Sequence, residues 1–432
     1  MPGGRLAAAA TALACGVALV ATPAQVTSAQ RSAPDLNARA WTLIDGRTGE
    51  TLDAHAAGRS LPIASATKLM TAHLALERLR LRRRVRMAPY AAIPGESLLG
   101  VPAGTPISVR DLLYALILQS ANDAAHTFAQ VIGGTQHGFV VQMNRSAAAL
   151  GLIDTHYSNP IGLDAPGNYS SARDLAALTR RLLRDRTFAR IADSARAVLP
   201  SLHPRRTIGT RNTLLLREPW VTGVKTGHTL GAGYVLVGSA RRKGTELIST
   251  VLGAPSETQR DLESLDLLDY GFSLYRLRRP VRAGKVMARP SIRYAGGELS
   301  LRAAHPIAVG VRKGQRVGVS VKAPDQVTGP VRKGAVRGRV AVTVDGRTAG
   351  SAALLASRSI PRASAFDRVS NGATSTPVLI GIGAVAILVA ALALRRRRSR
   401  GPLSEEEMRR KREERRRMRD HRRNGPGGGS AE

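Results

Sequence analysis

The chain has 432 residues and is strongly basic, with 65 Lys and Arg against 31 Asp and Glu and a formal net charge of +34. Aromatic residues make up only 3% and the basic residues are spread along the whole body, so the sequence lacks the stacking platforms and concentrated basic face of a nucleic-acid binder. Cys15 is the only cysteine and the nine histidines form no cluster with ligand spacing, which argues against disulfides, metal sites and thiol chemistry; no cofactor is expected.

Residues 1–29 hold one early charge, Arg5, an apolar run from Leu6 to Ala21, and small residues ending Thr27-Ser28-Ala29. This predicts a secretory signal peptide cut after Ala29. A first transmembrane helix fits less well, because the run is short and Pro23 follows it. A lipoprotein site at Ala14-Cys15-Gly16 also fits less well, because Ala12 replaces the branched residue such sites prefer.

The next segment, 36–276, is expected to be the catalytic domain. Ala40 to Arg59 alternates apolar and polar residues around Asp45-Gly46 and predicts a β-hairpin. From Ser65 the pattern turns helical, with Leu69, Met70, Ala72, Leu74 and Leu76 in phase. Val109–Leu118, Asp123–Ile132 and Ser171–Arg184 are further predicted helices. Gly233–Ser239 and Glu246–Gly253 read as buried strands, and Thr258–Tyr275 as a closing helix. Strands, then helices, then strands and a last helix imply a mixed α/β (α+β) domain with its helical part inserted into a sheet.

After Pro280 the texture changes to short Val-rich alternations with Gly turns. Val311-Arg312-Lys313-Gly314 recurs as Val331-Arg332-Lys333-Gly334, and Asp345-Gly346 marks another hairpin. A small all-β domain over 280–355 is expected, followed by a Ser/Pro/Asn-rich linker over 356–376. Pro377 to Leu394 carries no charge and as a helix would be about 27 Å long, enough to cross a hydrocarbon core of about 30 Å. Arg395, Arg396, Arg397 and Arg398 follow directly, so a transmembrane helix at 377–394 is expected, with the tail 395–432 cytoplasmic and the rest of the chain outside. In the tail, Ser404 with Glu407 forms a capping-box pattern, and Glu405/Arg409, Glu406/Arg410 and Glu407/Lys411 are i,i+4 pairs. They predict a solvated basic helix over 404–420, ahead of a Gly/Pro-rich end. The basic exported body fits attraction to anionic lipid head groups and wall polymers. The tail's partner is not legible.

Three short stretches carry the chemistry: Ser65-Ala66-Thr67-Lys68, Ser120-Ala121-Asn122 and Lys225-Thr226-Gly227. Each alone reads as ordinary structure: a surface Ser and Lys, a helix N-cap, a turn before a strand. Together, in this order and with room between them for a helical subdomain, they suit a serine acyl-transfer site. Residues three apart share one helix face, so Ser65 Oγ and Lys68 Nζ can meet. A serine needs a base to become a nucleophile, and lysine serves only when neutral, through burial or a nearby cation such as Lys225. Ser120 can relay a proton to or from Lys68, and Asn122 can hold a substrate amide carbonyl. Gly227 lets a backbone come close; Lys225 and Thr226 offer a charge and a hydroxyl to a carboxylate. The backbone N–H groups of Ser65 and His228 are expected oxyanion donors across a narrow cleft.

The three motifs resemble those of the penicillin-binding proteins and serine β-lactamases. The fuller stretches Ile63–Thr71, Ser120–Ala124, Asn159-Pro160-Ile161-Gly162-Leu163 and Val224–Thr229 resemble one branch, the low-molecular-mass D-alanyl-D-alanine carboxypeptidases of serine peptidase family S11. The resemblance implies a β-lactamase/transpeptidase-like fold and removal of the terminal D-Ala from peptidoglycan stem peptides. It also implies covalent inhibition by β-lactam antibiotics. Ser65 would form the acyl-enzyme, Lys68 would accept the proton, Ser120 would relay it, and Lys225 with Arg260 would hold the substrate's carboxylate. Ala121 departs from the family's frequent Gly. A serine β-lactamase is the second enzyme reading, and Ile153 to Ser171 lacks the glutamate that class A deacylation uses. An inert anchored wall-binding or scaffold protein is the third.

Overall fold

The computed structural model describes residues 32–364, 376–398 and 404–423. The expected signal peptide, part of the linker and the Gly/Pro-rich end lie outside the described residues. The chain divides into two units: Met1–Arg279 with Ala308–Val317 and Val344–Ala349, and Pro280–Ile307 with Gly318–Thr343 and Gly350–Glu432.

In the first unit, β1 (Ala40–Asp45) and β2 (Thr51–His55) form the expected hairpin. A 3₁₀ turn over Ala64–Thr67 leads into α1 (Lys68–Arg78). The small ribbon β3 (Arg84–Arg86) with β4 (Pro106–Ser108) precedes α2 (Val109–Leu118), α3 (Asn122–Gly133) and α4 (Gln136–Ala149). Then come α5 (Ala172–Leu182), α6 (Arg186–Ala192), the ribbon β5 (Arg196–Leu199) with β6 (Arg206–Gly209), and α7 (Thr213–Arg217). The chain returns to the sheet through β7 (Val221–Thr229), β8 (Gly233–Arg242) and β9 (Thr245–Ala254), and closes with α8 (Glu257–Ser273).

The main sheet runs β2-β1-β9-β8-β7, so the first and last parts of the segment pair at its centre and the helices are inserted between them. Alternation along the strands sorts residues between two faces. Ala40, Val235, Val237 and Leu252 join the helical core with Ile63, Leu69 and Met70. Trp41, Leu43, Leu236 and Val251 pack with Leu267 and Leu268 of α8 on the other face. Each fully buried leucine here contributes about 1.5–3 kcal/mol, and the edge strand β7 packs against the 3₁₀ turn that leads into α1.

Two sequence expectations are corrected. Lys225-Thr226-Gly227 does precede the expected strand, β8, but is itself in a strand rather than a turn, inside β7 at the sheet's edge. Ser65 sits in the 3₁₀ turn rather than in the α-helix, which starts at Lys68; side chains three apart eclipse in a 3₁₀ turn, so the expected Ser–Lys contact survives.

Residues 286–356 form a five-stranded sheet in the order Val286–Ala288, Leu301–Ala303, Arg347–Ala356, Val336–Val344, Val317–Lys322, most of which falls in the second unit. Asp345 and Gly346 join two of its strands with φ of 49° and 77°, which suits the tight turn read from the sequence. Further on, Thr376–Arg398 and Glu405–Arg423 are helices. The expected membrane span gains no support from the structure. A helix forms over 377–394, but side chains at 376–380 and 382 lie outside the described residues. Among the described residues no helix is long and apolar enough to cross a membrane.

Candidate active site

The nucleophile's position begins with the backbone. Ala64 has φ of 47°, a left-handed conformation that non-glycine residues adopt at some cost and that recurs at active sites. It turns the chain so that half-buried Ser65 opens the 3₁₀ turn while Ala66, Thr67 and Lys68 go inside. Lys68 is fully buried. Its Nζ donates to Ser65 Oγ at 2.9 Å and to the Ile161 carbonyl at 2.5 Å. Burial, then the charge of Lys225 and that of Arg211, push its pKa well below the ordinary lysine value; Glu96 and Asp123 oppose them.

The Ile161 carbonyl is set by the Asn159–Leu163 loop. Asn159 Oδ1 accepts from the N–H groups of Ile161 (3.2 Å) and Gly162 (2.6 Å), and Thr71 of α1 donates to the Pro160 carbonyl at 2.8 Å. Gly162 has φ of 89°, and a Cβ there would strike the Ala64 carbonyl. This loop therefore presses on the turn that carries Ser65.

Ser120 also has a left-handed φ, of 59°. The N-cap of α3 is Ala121, with no side-chain cap, so Ser120 and Asn122 are not engaged as caps. Asp123 instead accepts from the N–H groups of Leu99 and Gly100, each at 2.9 Å. Asn122 donates from its backbone to Ser97 O and from Nδ2 to Glu96 Oε2, both at 2.7 Å. Ser120 is buried beside the cleft, with no direct hydrogen bond to Lys68 among the described residues.

The third wall is β7. Lys225 is buried, donates to the Thr226 carbonyl at 2.6 Å, and is pushed down to about 7 by burial and by Arg211 and Arg260. Lys225, which the sequence offers as a cation, is thus a weaker one than an exposed lysine, and the same cleft holds Arg211 and Arg260. The reason for Gly227 is also sharper than expected. A Cβ there would lie 2.9 Å from both Ala64 Cβ and Ser65 N, so this glycine seats the nucleophile's own turn against the strand. His228 is exposed and stacks on Tyr234 with ring centroids 4.1 Å apart.

A cavity of about 460 Å³ brings together Ser65, Ser120, Thr226, Gly227, His228 and Arg260. Arg260, which sequence reasoning alone would leave on a helix surface, is buried on α8 and held by Asp261 (2.7 Å) and Glu257 (3.0 Å). Sequence reasoning missed Arg211, which lines the same cavity, and Glu96, which holds Asn122. Neither carries a motif; the Arg-Asn pair ahead of α7 and the Gly-Glu-Ser triplet at 95–97 were the only signals. Among the described residues no group of His, Cys, Asp and Glu could hold a metal ion.

A serine hydroxyl hydrogen-bonded to a buried lysine held towards neutrality, facing a cleft lined by arginines, has the arrangement that serine nucleophilic catalysis needs. The comparisons agree. A family model described as D-alanyl-D-alanine carboxypeptidase matches residues 26–256. The chain is 32% identical over 356 residues to the D-alanyl-D-alanine carboxypeptidase DacC of Escherichia coli, covering 78% of this chain and 88% of the relative. It is 29% identical to DacF of Bacillus subtilis, covering 76% and 86%. Among solved structures, penicillin binding protein 5 from Haemophilus influenzae is similar, with a TM-score of 0.54, 30% identity, and coverage of 77% of this chain and 100% of that one. The chain belongs to the D-alanyl-D-alanine carboxypeptidase family, S11, and is a serine peptidase.

Proposed function

We propose that the protein removes the terminal D-alanine from peptidoglycan stem pentapeptides through an acyl-enzyme on Ser65, and that β-lactams acylate the same serine. The observation that carries this reading is the 2.9 Å contact between Ser65 Oγ and the fully buried Lys68 Nζ. Neutral Lys68 takes the Ser65 proton as Oγ attacks the carbonyl of the penultimate D-Ala. The N–H groups of Ser65 and His228 receive the developing oxyanion. The proton then passes, with Ser120 as relay, to the leaving D-Ala amine. In the second half, water attacks the acyl-enzyme and gives its proton to Lys68, which restores Ser65. Asn122 holds the substrate amide, and Thr226, Lys225, Arg211 and Arg260 favour the terminal carboxylate of the leaving residue.

The lack of a glutamate between Ile153 and Ser171 disfavours a β-lactamase. The intact Ser–Lys contact disfavours an inert scaffold. We further propose that the uncharged run 377–394, followed by four arginines, anchors the chain in the cell membrane. The catalytic unit then faces outwards, the basic tail lies in the cytoplasm, and the signal at 1–29 is removed on export. The test is D-Ala release from a synthetic pentapeptide alongside fluorescent-penicillin labelling. Release with a long-lived label is expected. Rapid loss of the label would point to a β-lactamase, and neither label nor release would point to a scaffold.

A further inference from the structure

We propose that Glu96 is a positioning residue of this site, fixing the orientation of the Asn122 amide. This rests on the acyl-transfer reading of Ser65. Glu96 lies in the loop between β3 and β4, between Gly95 and Ser97, both of which line the cavity. Its Oε2 accepts from Asn122 Nδ2 at 2.7 Å and from the Tyr90 hydroxyl, and its Oε1 accepts from the Ile93 N–H at 3.2 Å. The same loop is tied to α3 through the Asn122 N–H to Ser97 O and through Asp123 to Leu99 and Gly100. Loop and Asn122 thus move as one piece.

An ionised carboxylate can only accept hydrogen bonds. Burial draws the Glu96 pKa upwards, but the hydrogen bonds from Tyr90, Asn122 and Ile93 and the nearby Lys68 hold it below its usual value. The side facing Glu96 is therefore the Asn122 NH₂ group, and this leaves Oδ1 and the second Nδ2 hydrogen for other partners. A substrate carbonyl needs that hydrogen, so a flipped amide would offer it an oxygen instead.

The experiment compares Glu96→Ala, Glu96→Gln and the unaltered full-length chain in the rate of acylation by a fluorescent penicillin, with thermal unfolding as the control for folding. Glu96→Ala removes the acceptor that holds the Asn122 amide and should slow acylation about tenfold. Glu96→Gln keeps an acceptor oxygen for Asn122 and should recover most of that loss. Unimpaired acylation in a folded Glu96→Ala variant, or a folded Glu96→Gln variant no faster than Glu96→Ala, would overturn the proposal while the acyl-transfer reading stands. An unaltered chain that takes no label would bring down that reading, and this proposal with it.

Discussion

At the scale of single residues, the contact between Ser65 and Lys68 was legible because an i,i+3 pair meets whether the turn is 3₁₀ or α. What the sequence could not show is how Lys68 is held: its Nζ bonds the Ile161 carbonyl 93 positions away, and its pKa is lowered by burial and shaped by charges from four other segments. Arg211 and Glu96 stayed hidden for the same reason: their contacts with the cleft are tertiary. The division of labour between the two lysines gives a prediction. Lys68→Arg should lower acylation by about 10²–10⁴-fold, because a guanidinium stays protonated and cannot accept the serine proton. Lys225→Arg puts a permanently charged guanidinium where the lysine is depressed and changes its shape, and should mainly raise KM for the peptide. Single-turnover acylation and steady-state kinetics on both variants would separate these effects, and equal losses in both would mean the roles are wrongly assigned.

At the scale of elements, a helix with a broad apolar face was easy to read. Val109–Leu118 was placed at the bounds seen for α2. The sequence missed α4, whose only buried residues are Phe139, Met143 and Ala147, one thin stripe with little moment to detect. It also missed that the third motif lies in a strand. β7 faces a polar cleft at the sheet edge, so Lys225, Thr226 and Gly227 interrupt the apolar alternation that marks a strand. The packing of β7 against the Ser65 turn is the element-level claim. Gly227→Ala places a methyl 2.9 Å from Ala64 Cβ and Ser65 N, and should destabilise the fold by about 1–3 kcal/mol. Because it displaces the N–H of the nucleophile itself, acylation should fall by about 10²-fold or more. Chemical denaturation measured beside acylation rates tests this; a stable variant with unimpaired acylation would show that the turn does not rest on the strand.

At the scale of the whole molecule, the order of strands and helices revealed the inserted subdomain, since the end of a segment that returns to pair with its start is visible in the element order. The partition of 308–317 and 344–349 with the first unit was not visible, because Val-rich alternation looks the same on either side of a unit boundary. Two buried lysines have a consequence for the stability of the fold. An ordinary lysine titrates near 10.4 in the unfolded chain, whereas Lys225 is pushed down to about 7. Between these values the unfolded chain binds the extra proton, so stability rises with pH, by up to about 1.4 kcal/mol per unit for this group. Lys225→Met should flatten the dependence of unfolding free energy on pH between about 7 and 10; an unchanged slope would mean that Lys225 is charged in the folded state.

The central claim is that Ser65, activated by Lys68, becomes covalently acylated, and the most direct measurement is mass spectrometry of the protein after exposure to benzylpenicillin. The account predicts one penicilloyl adduct per chain, mapped to the peptide containing Ser65 and absent from a folded Ser65→Ala variant. An adduct on Ser120 or any other serine, or a folded wild-type chain that stays unmodified, would contradict it.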